Sequence, residues 1–204
     1  MYPYNHKKGQ KIQTNAEGVA VDRWFGAHIN IPKALAADTD GIVAAAEATS
    51  GAEAEDLVIT EFGAQPDWPR NIVVTVAATT AADVAAGNIT VKGLNIAGKV
   101  IEENFAITAD TPAVKTGTLA FKEVTSVTVP VQDGDSVTID VGWGDKFGLP
   151  YLLAHNTILK TYFGGTEEAT APTVVLDAAE IEKNTIDLDS TPDGVKDIDI
   201  YLIV

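Results

Sequence analysis

The sequence contains no cysteine. A disulfide scaffold, a thiolate metal site and a cysteine nucleophile are thereby excluded, and the lack suits a particle that must persist outside a cell without redox control. Large side chains are also scarce, with one methionine and 7% aromatic residues in a chain of 204. Apolar residues nevertheless reach 46%, so the core must be assembled largely from Ala, Val and other small or β-branched pieces. Such pieces suit thin β layers better than a deep ligand cavity. No run approaches the roughly 18 apolar residues of a membrane span, and Met1 to Lys8 lack the apolar stretch of a secretory signal. The expectation is a chain made in a cytoplasm and used without contact with a membrane.

Basic residues are few. The net charge is −15, and a surface of that sign repels phosphate backbones, which argues against nucleic acid as a partner. The charge is unevenly spread. Residues 1–33 carry Lys7, Lys8, Lys11, Arg23 and Lys33 against Glu17 and Asp22, a net of +3, and the remainder carries −18. Gly9, Gly18 and Gly26 punctuate this stretch and its periodicity is poor, so it reads as an extended arm with one short strand. Its apolar groups need burial that an isolated arm cannot supply. Lys7, Lys8, Lys11, Arg23, Trp24 and Phe25 are therefore the expected contacts to a partner chain.

Residues 34–56 have the composition of a loop or a short helical segment, interrupted at Asp40-Gly41 and closed by Ser50-Gly51. From residue 57 onward the pattern is that of strands. Asn71–Ala77 is β-branched, and 88–107 reads as a β-hairpin turning at Asn95-Ile-Ala-Gly98. Ser136–Trp143 alternates Val137, Ile139, Val141 and Trp143 with Ser136, Thr138 and Asp140, the period of a strand with one buried and one wet face. Pro66-Asp-Trp-Pro69 forms a rigid corner. Short strands at this spacing, with no helix of crossover length between them, predict a mostly β fold. The expected fold is an antiparallel β-sandwich, Ig-like or jelly-roll-like, over residues 57–204.

Catalytic patterns are not found. His6, His28 and His155 are far apart and in no metal-ligand spacing. Ser50, Ser126, Ser136 and Ser190 lie outside any Gly-x-Ser-x-Gly elbow. Gly142-Trp-Gly-Asp-Lys-Phe-Gly148 lacks the spacing of a phosphate loop and reads as a loop needing positive φ, with Trp143 and Phe147 plugging one end of the fold. Asp187, Asp189, Asp193, Asp197 and Asp199 have a faint calcium-loop flavour, but a solvated strand face explains their alternation with aliphatic residues. No enzyme activity, cofactor or metal is expected.

Several stretches together carry a resemblance: Trp68–Val76, Asn88–Gly98, Val100–Phe105, Ala120–Pro130 and Val141–Pro150. Over roughly residues 40–204 this pattern of strands and turns resembles tailed-bacteriophage virion structural proteins of the capsid decoration, or cement, type. The resemblance implies a non-enzymatic protein that binds the outer capsid surface and stabilises it by bridging capsomers. The implied partners are the major capsid protein and further copies of the chain, as a homo-oligomer with a trimer favoured. The N-terminal arm lies outside the likeness. A tail or head-fibre component, or a host- or carbohydrate-binding β-sandwich module, is the alternative. An exposed aromatic row on one sheet face would favour the binding module, and Trp24, Trp68 and Trp143 do not make one.

Overall fold

The computed structural model describes residues 25–51 and 53–204, together with the backbone of two short antiparallel strands, β1 (Ile12–Gln13) and β2 (Ala20–Val21). Strands make up 53% of the structure and helix is almost absent, so the expected excess of strand over helix holds. The strands that follow are β3 (Gly26–Ile31), β4 (Asp38–Glu47), β5 (Leu57–Ile59), β6 (Arg70–Ala78), β7 (Gly87–Leu94) and β8 (Val100–Ile107). After them come β9 (Ala113–Phe121), β10 (Glu123–Val129), β11 (Val137–Gly148), β12 (Ile158–Phe163) and β13 (Thr166–Glu167). The last three are β14 (Thr173–Val175), β15 (Thr185–Asp187) and β16 (Ile198–Ile203).

The strand pairings within the sheets are antiparallel. One sheet has the order β5-β10-β7-β8, and a second runs β14-β15-β11-β6-β9 with β4 also on β11. The β7–β8 hairpin pairs in register from Gly87↔Ile107 to Leu94↔Val100, as its alternation predicts. Side chains of both sheets meet in a first apolar cluster: Ile89, Val91, Phe105, Val127 and Val129 from one, Ile72, Val74, Val76, Ile139, Val141 and Trp143 from the other. A further sheet, β13-β12-β16-β3, covers a second cluster with Ile29, Ile31, Ile198, Ile200 and Leu202, packed on Phe147, Leu149 and Ile186.

β11 belongs to both clusters. Between Trp143 and Phe147 it advances four residues while β6 advances two, from Ile72 to Arg70. The bulge bends the strand, so that Trp143 closes the first cluster and Phe147 enters the second. Asn71 occupies the bend, accepting from the Lys146 N–H at 3.0 Å through its Oδ1. Residues 142–148 are thus strand, and the expected positive-φ loop is corrected: none of Gly142, Gly144 and Gly148 has positive φ. These glycines serve close approach. A Cβ on Gly142 would overlap the carbonyl oxygen of Asp38 on β4.

Two further expectations change. Residues 38–47, expected as loop or short helix, form β4 on β11, with register shifts on either side of the Val43↔Val141 pair. Ala45 sits at φ 45 and its N–H donates to Asp140 Oδ1 at 2.6 Å, so the strand is kinked and lacks clean alternation. Residues 26–31, expected within the arm, form β3, paired with β16 from Gly26↔Ile203 to Ile31↔Ile198. Ile29 and Ile31 are buried there, and the burial they need comes from their own chain.

Candidate interaction surfaces

Of the expected arm contacts, Lys7, Lys8, Lys11, Arg23 and Trp24 lie outside the described residues. Phe25 is placed: its N–H donates to Val204 O at 3.1 Å and its carbonyl accepts from Val204 N at 2.9 Å. It therefore adds one rung to the β3–β16 ladder. By strand alternation its side chain shares the core-facing side with Ala27, Ile29 and Ile31, yet it remains 38% exposed.

That rung borders an open apolar cleft of about 560 Å³. Its walls are the 150–157 segment, Ile181 after β14, and Ile203 and Val204. Leu152 stands 53% exposed on its rim, and His155 lies in its wall. Thr157 also lines it, and the Thr157 hydroxyl oxygen is buried without a hydrogen-bond partner. The cleft is the unfinished end of the second cluster.

The outer face of the same sheet carries the second surface. Alternation puts His28 and Asn30 on β3, Asp199 and Tyr201 on β16, and Lys160 and Tyr162 on β12 outside, opposite the buried isoleucines. The His28 and Tyr201 rings stack at 4.5 Å and 6°, and Tyr162 meets Tyr201 edge-on at 5.7 Å. His28 Nε2 lies 2.7 Å and Asn30 Nδ2 2.9 Å from Asp199 Oδ1. The Asn30 amide, with His28 adding to it, holds the Asp199 carboxyl below the ordinary aspartate range against an opposing effect of burial. Lys160 Nζ donates to Glu167 Oε2 at 2.7 Å, and that carboxylate raises the lysine's pKa.

This aromatic row was missed in the sequence, although its signal is present. Tyr201 and Asp199 interleave with Ile198, Ile200 and Leu202, and His28 interleaves with Ile29 and Ile31. Reading the outward positions of the two strands together requires knowing that they pair.

Three of the acidic C-terminal residues, Asp193, Asp197 and Asp199, already accept hydrogen bonds. Asp193 Oδ1 accepts from the Val195 and Lys196 N–H groups, both at 2.9 Å, and those backbone donors lower its pKa. Asp197 Oδ1 accepts from Lys33 N at 2.9 Å. Asp187, partly buried and near Asp145, is raised. Among the described residues no group of three or more His, Asp or Glu side chains is arranged to hold a metal ion, and no helix is long and apolar enough to cross a membrane.

Where the two clusters join, Arg70 is fully buried. Its Nε donates to Gly144 O at 2.8 Å, and its Nη1 donates to Leu35 O at 2.7 Å and to Asp67 Oδ1 at 3.2 Å. The guanidinium lies 4.4 Å over the Phe147 ring. Burial lowers its pKa and Asp67 opposes this; an arginine so far above neutrality stays charged. Asp67 also accepts from Leu35 N at 2.9 Å, and Trp68 Nε1 donates to Gly148 O at 2.9 Å. The Pro66–Pro69 corner is thus tied to β11 and to the link between β3 and β4. No protein-family model matches the chain, and neither a curated protein nor a solved structure matches it.

Proposed function

We propose that the chain is a non-enzymatic structural protein acting through contacts with other protein chains, in the setting of a tailed-phage virion. It binds the outer capsid surface, bridges capsomers and stabilises the shell by adding contacts that exist only when the shell is assembled. The two sheets that share the first cluster make, in this reading, a β-sandwich body. The observation that carries the proposal is the outer face of β3, β16 and β12. His28 and Tyr201 are exposed and Tyr162 is half-buried, their rings are in contact with one another, and the neighbouring carboxylates Asp199 and Glu167 already accept hydrogen bonds. Fixed aromatic groups lose little entropy on docking, as protein interfaces favour.

The same row supports a second reading, a glycan-binding module. A sugar platform needs broad ring faces open to solvent, and the stack takes up one face each of His28 and Tyr201. That geometry favours a protein partner. The test is cosedimentation of the purified protein with source virions, followed by electron microscopy of the particles. Retention on the shell, reduced at least tenfold by His28→Ala with Tyr201→Ala, is the expected result. Absence of retention together with binding on a glycan array would establish the second reading instead.

A further inference from the structure

We propose that the apolar cleft beside Val204 is the receptor for the N-terminal segment of a second copy of this chain, so that two copies exchange arms. The inference rests on the reading that the protein works by contacts between chains. Three observations carry it. First, the cleft is the open end of a core. Leu152 is 53% exposed on its rim, Phe25 is 38% exposed beside Val204, and the buried Thr157 hydroxyl in its wall has no partner. Secondly, Phe25, paired with Val204, stands at this lip. Twenty-four residues precede Phe25, and they include the apolar Val19, Val21 and Trp24. Because each arm leaves beside its own cleft, a two-fold axis through this face brings each arm to the other copy's cleft by a short path. Thirdly, the charges suit. Residues 1–24 carry four basic and two acidic groups, and residues 25–204 carry ten basic and 27 acidic, so a net of +2 meets a net of −17. Apolar burial in the cleft holds the arm, and Lys7, Lys8, Lys11 and Arg23 steer it.

The absence of native cysteine allows a direct test on the full chain. A double variant, Trp24→Cys with Leu152→Cys, is oxidised under mild conditions and separated without reductant. The expected product is a covalent dimer whose cross-linked peptides join residue 24 of one copy to residue 152 of the other, mixed isotopically to prove the crossing. In parallel, the cysteine-free full chain sediments as an oligomer, and Leu152→Glu lowers its self-association at least tenfold with an unchanged circular dichroism spectrum. Cross-linking within single chains, or no 24–152 cross-link, overturns the proposal, as does self-association indifferent to Leu152→Glu. If the dimer forms but the wild-type protein fails to bind virions, the arm exchange stands and the virion reading falls.

Discussion

The two apolar clusters are finished differently. The first is closed by β-branched side chains from two sheets, and its weak edge is sealed. Glu103 on β8 accepts from Thr118 N at 2.6 Å, Thr118 Oγ1 at 3.0 Å and Leu119 N at 3.4 Å, which satisfies donors where β9 slips register against β6. The second cluster is smaller and ends in the cleft at Val204. A region that satisfies itself serves as scaffold. A region left open, with an aromatic face behind it and an arm starting at its rim, is where a partner gains most by binding.

The largest expected effect tests whether the two regions are one unit. Arg70 ties β6, β11, the Pro66–Pro69 corner and the β3–β4 link together from a fully buried position. Arg70→Ala leaves buried acceptors unpaired and should cost about 3–5 kcal/mol, seen as a large fall in the denaturant midpoint. Two resolved transitions in the variant would mean that Arg70 is the coupling; one transition at an unchanged midpoint would contradict the assigned role. Next comes the sealed core itself. Ile139 is fully buried in the first cluster, and Ile139→Ala should cost about 2–5 kcal/mol in equilibrium unfolding. A loss below 1 kcal/mol would show that the first cluster is as loosely finished as the second.

Acid should act on the open region first. Asp199, Asp193 and Asp177 are all held below their ordinary pKa of 3.8, Asp199 by side-chain donors and the other two by backbone N–H groups. A depressed carboxyl contributes stability that is present above 3.8 and is lost as pH falls through its lower folded value. Asp40, on β4 against the first cluster, is raised by hydrogen bonding and repulsion from Asp38, so protonation there favours the folded state. Amide exchange followed downward from pH 5 should therefore open β3 and β16 before β6 and β11. Asp199→Asn should flatten that acid response. Simultaneous opening of all four strands would erase the distinction. The smallest effect belongs to the exposed Lys160–Glu167 pair on the outer face. Lys160→Met should leave the thermal midpoint unchanged within measurement, because solvent screens the pair. A clear fall would mean that this face contributes to stability as well as to recognition.

Strands whose burial is one-sided were legible in the amino-acid order alone. The alternation in Val137–Trp143, the turn at Asn95–Gly98 and the Ile198–Leu202 pattern each show a period of two, because one face must leave water. Local chemistry was enough there. It was not enough for β4, where Asp38–Glu47 is rich in alanine and kinked at Ala45. Only the paired edge of β11, with Asp140 accepting from the Ala45 N–H, makes a strand of it. Nor was it enough for Gly142–Gly148, whose glycines suggested a loop because their reason, the close passage of Asp38, Asn71 and Pro69, lies far away in sequence. Arg70 stood at the head of an apolar run as one charged residue, and its partners Leu35, in the β3–β4 link, and Gly144, on β11, are far from it in sequence. The surfaces were decided in the same way. The outer aromatic row and the cleft exist because β3 and β16, 171 residues apart at His28 and Asp199, lie side by side. Periodicity reports which face of a strand is buried; only the pairing of strands decides which outward residues become neighbours, and so what the protein presents to others.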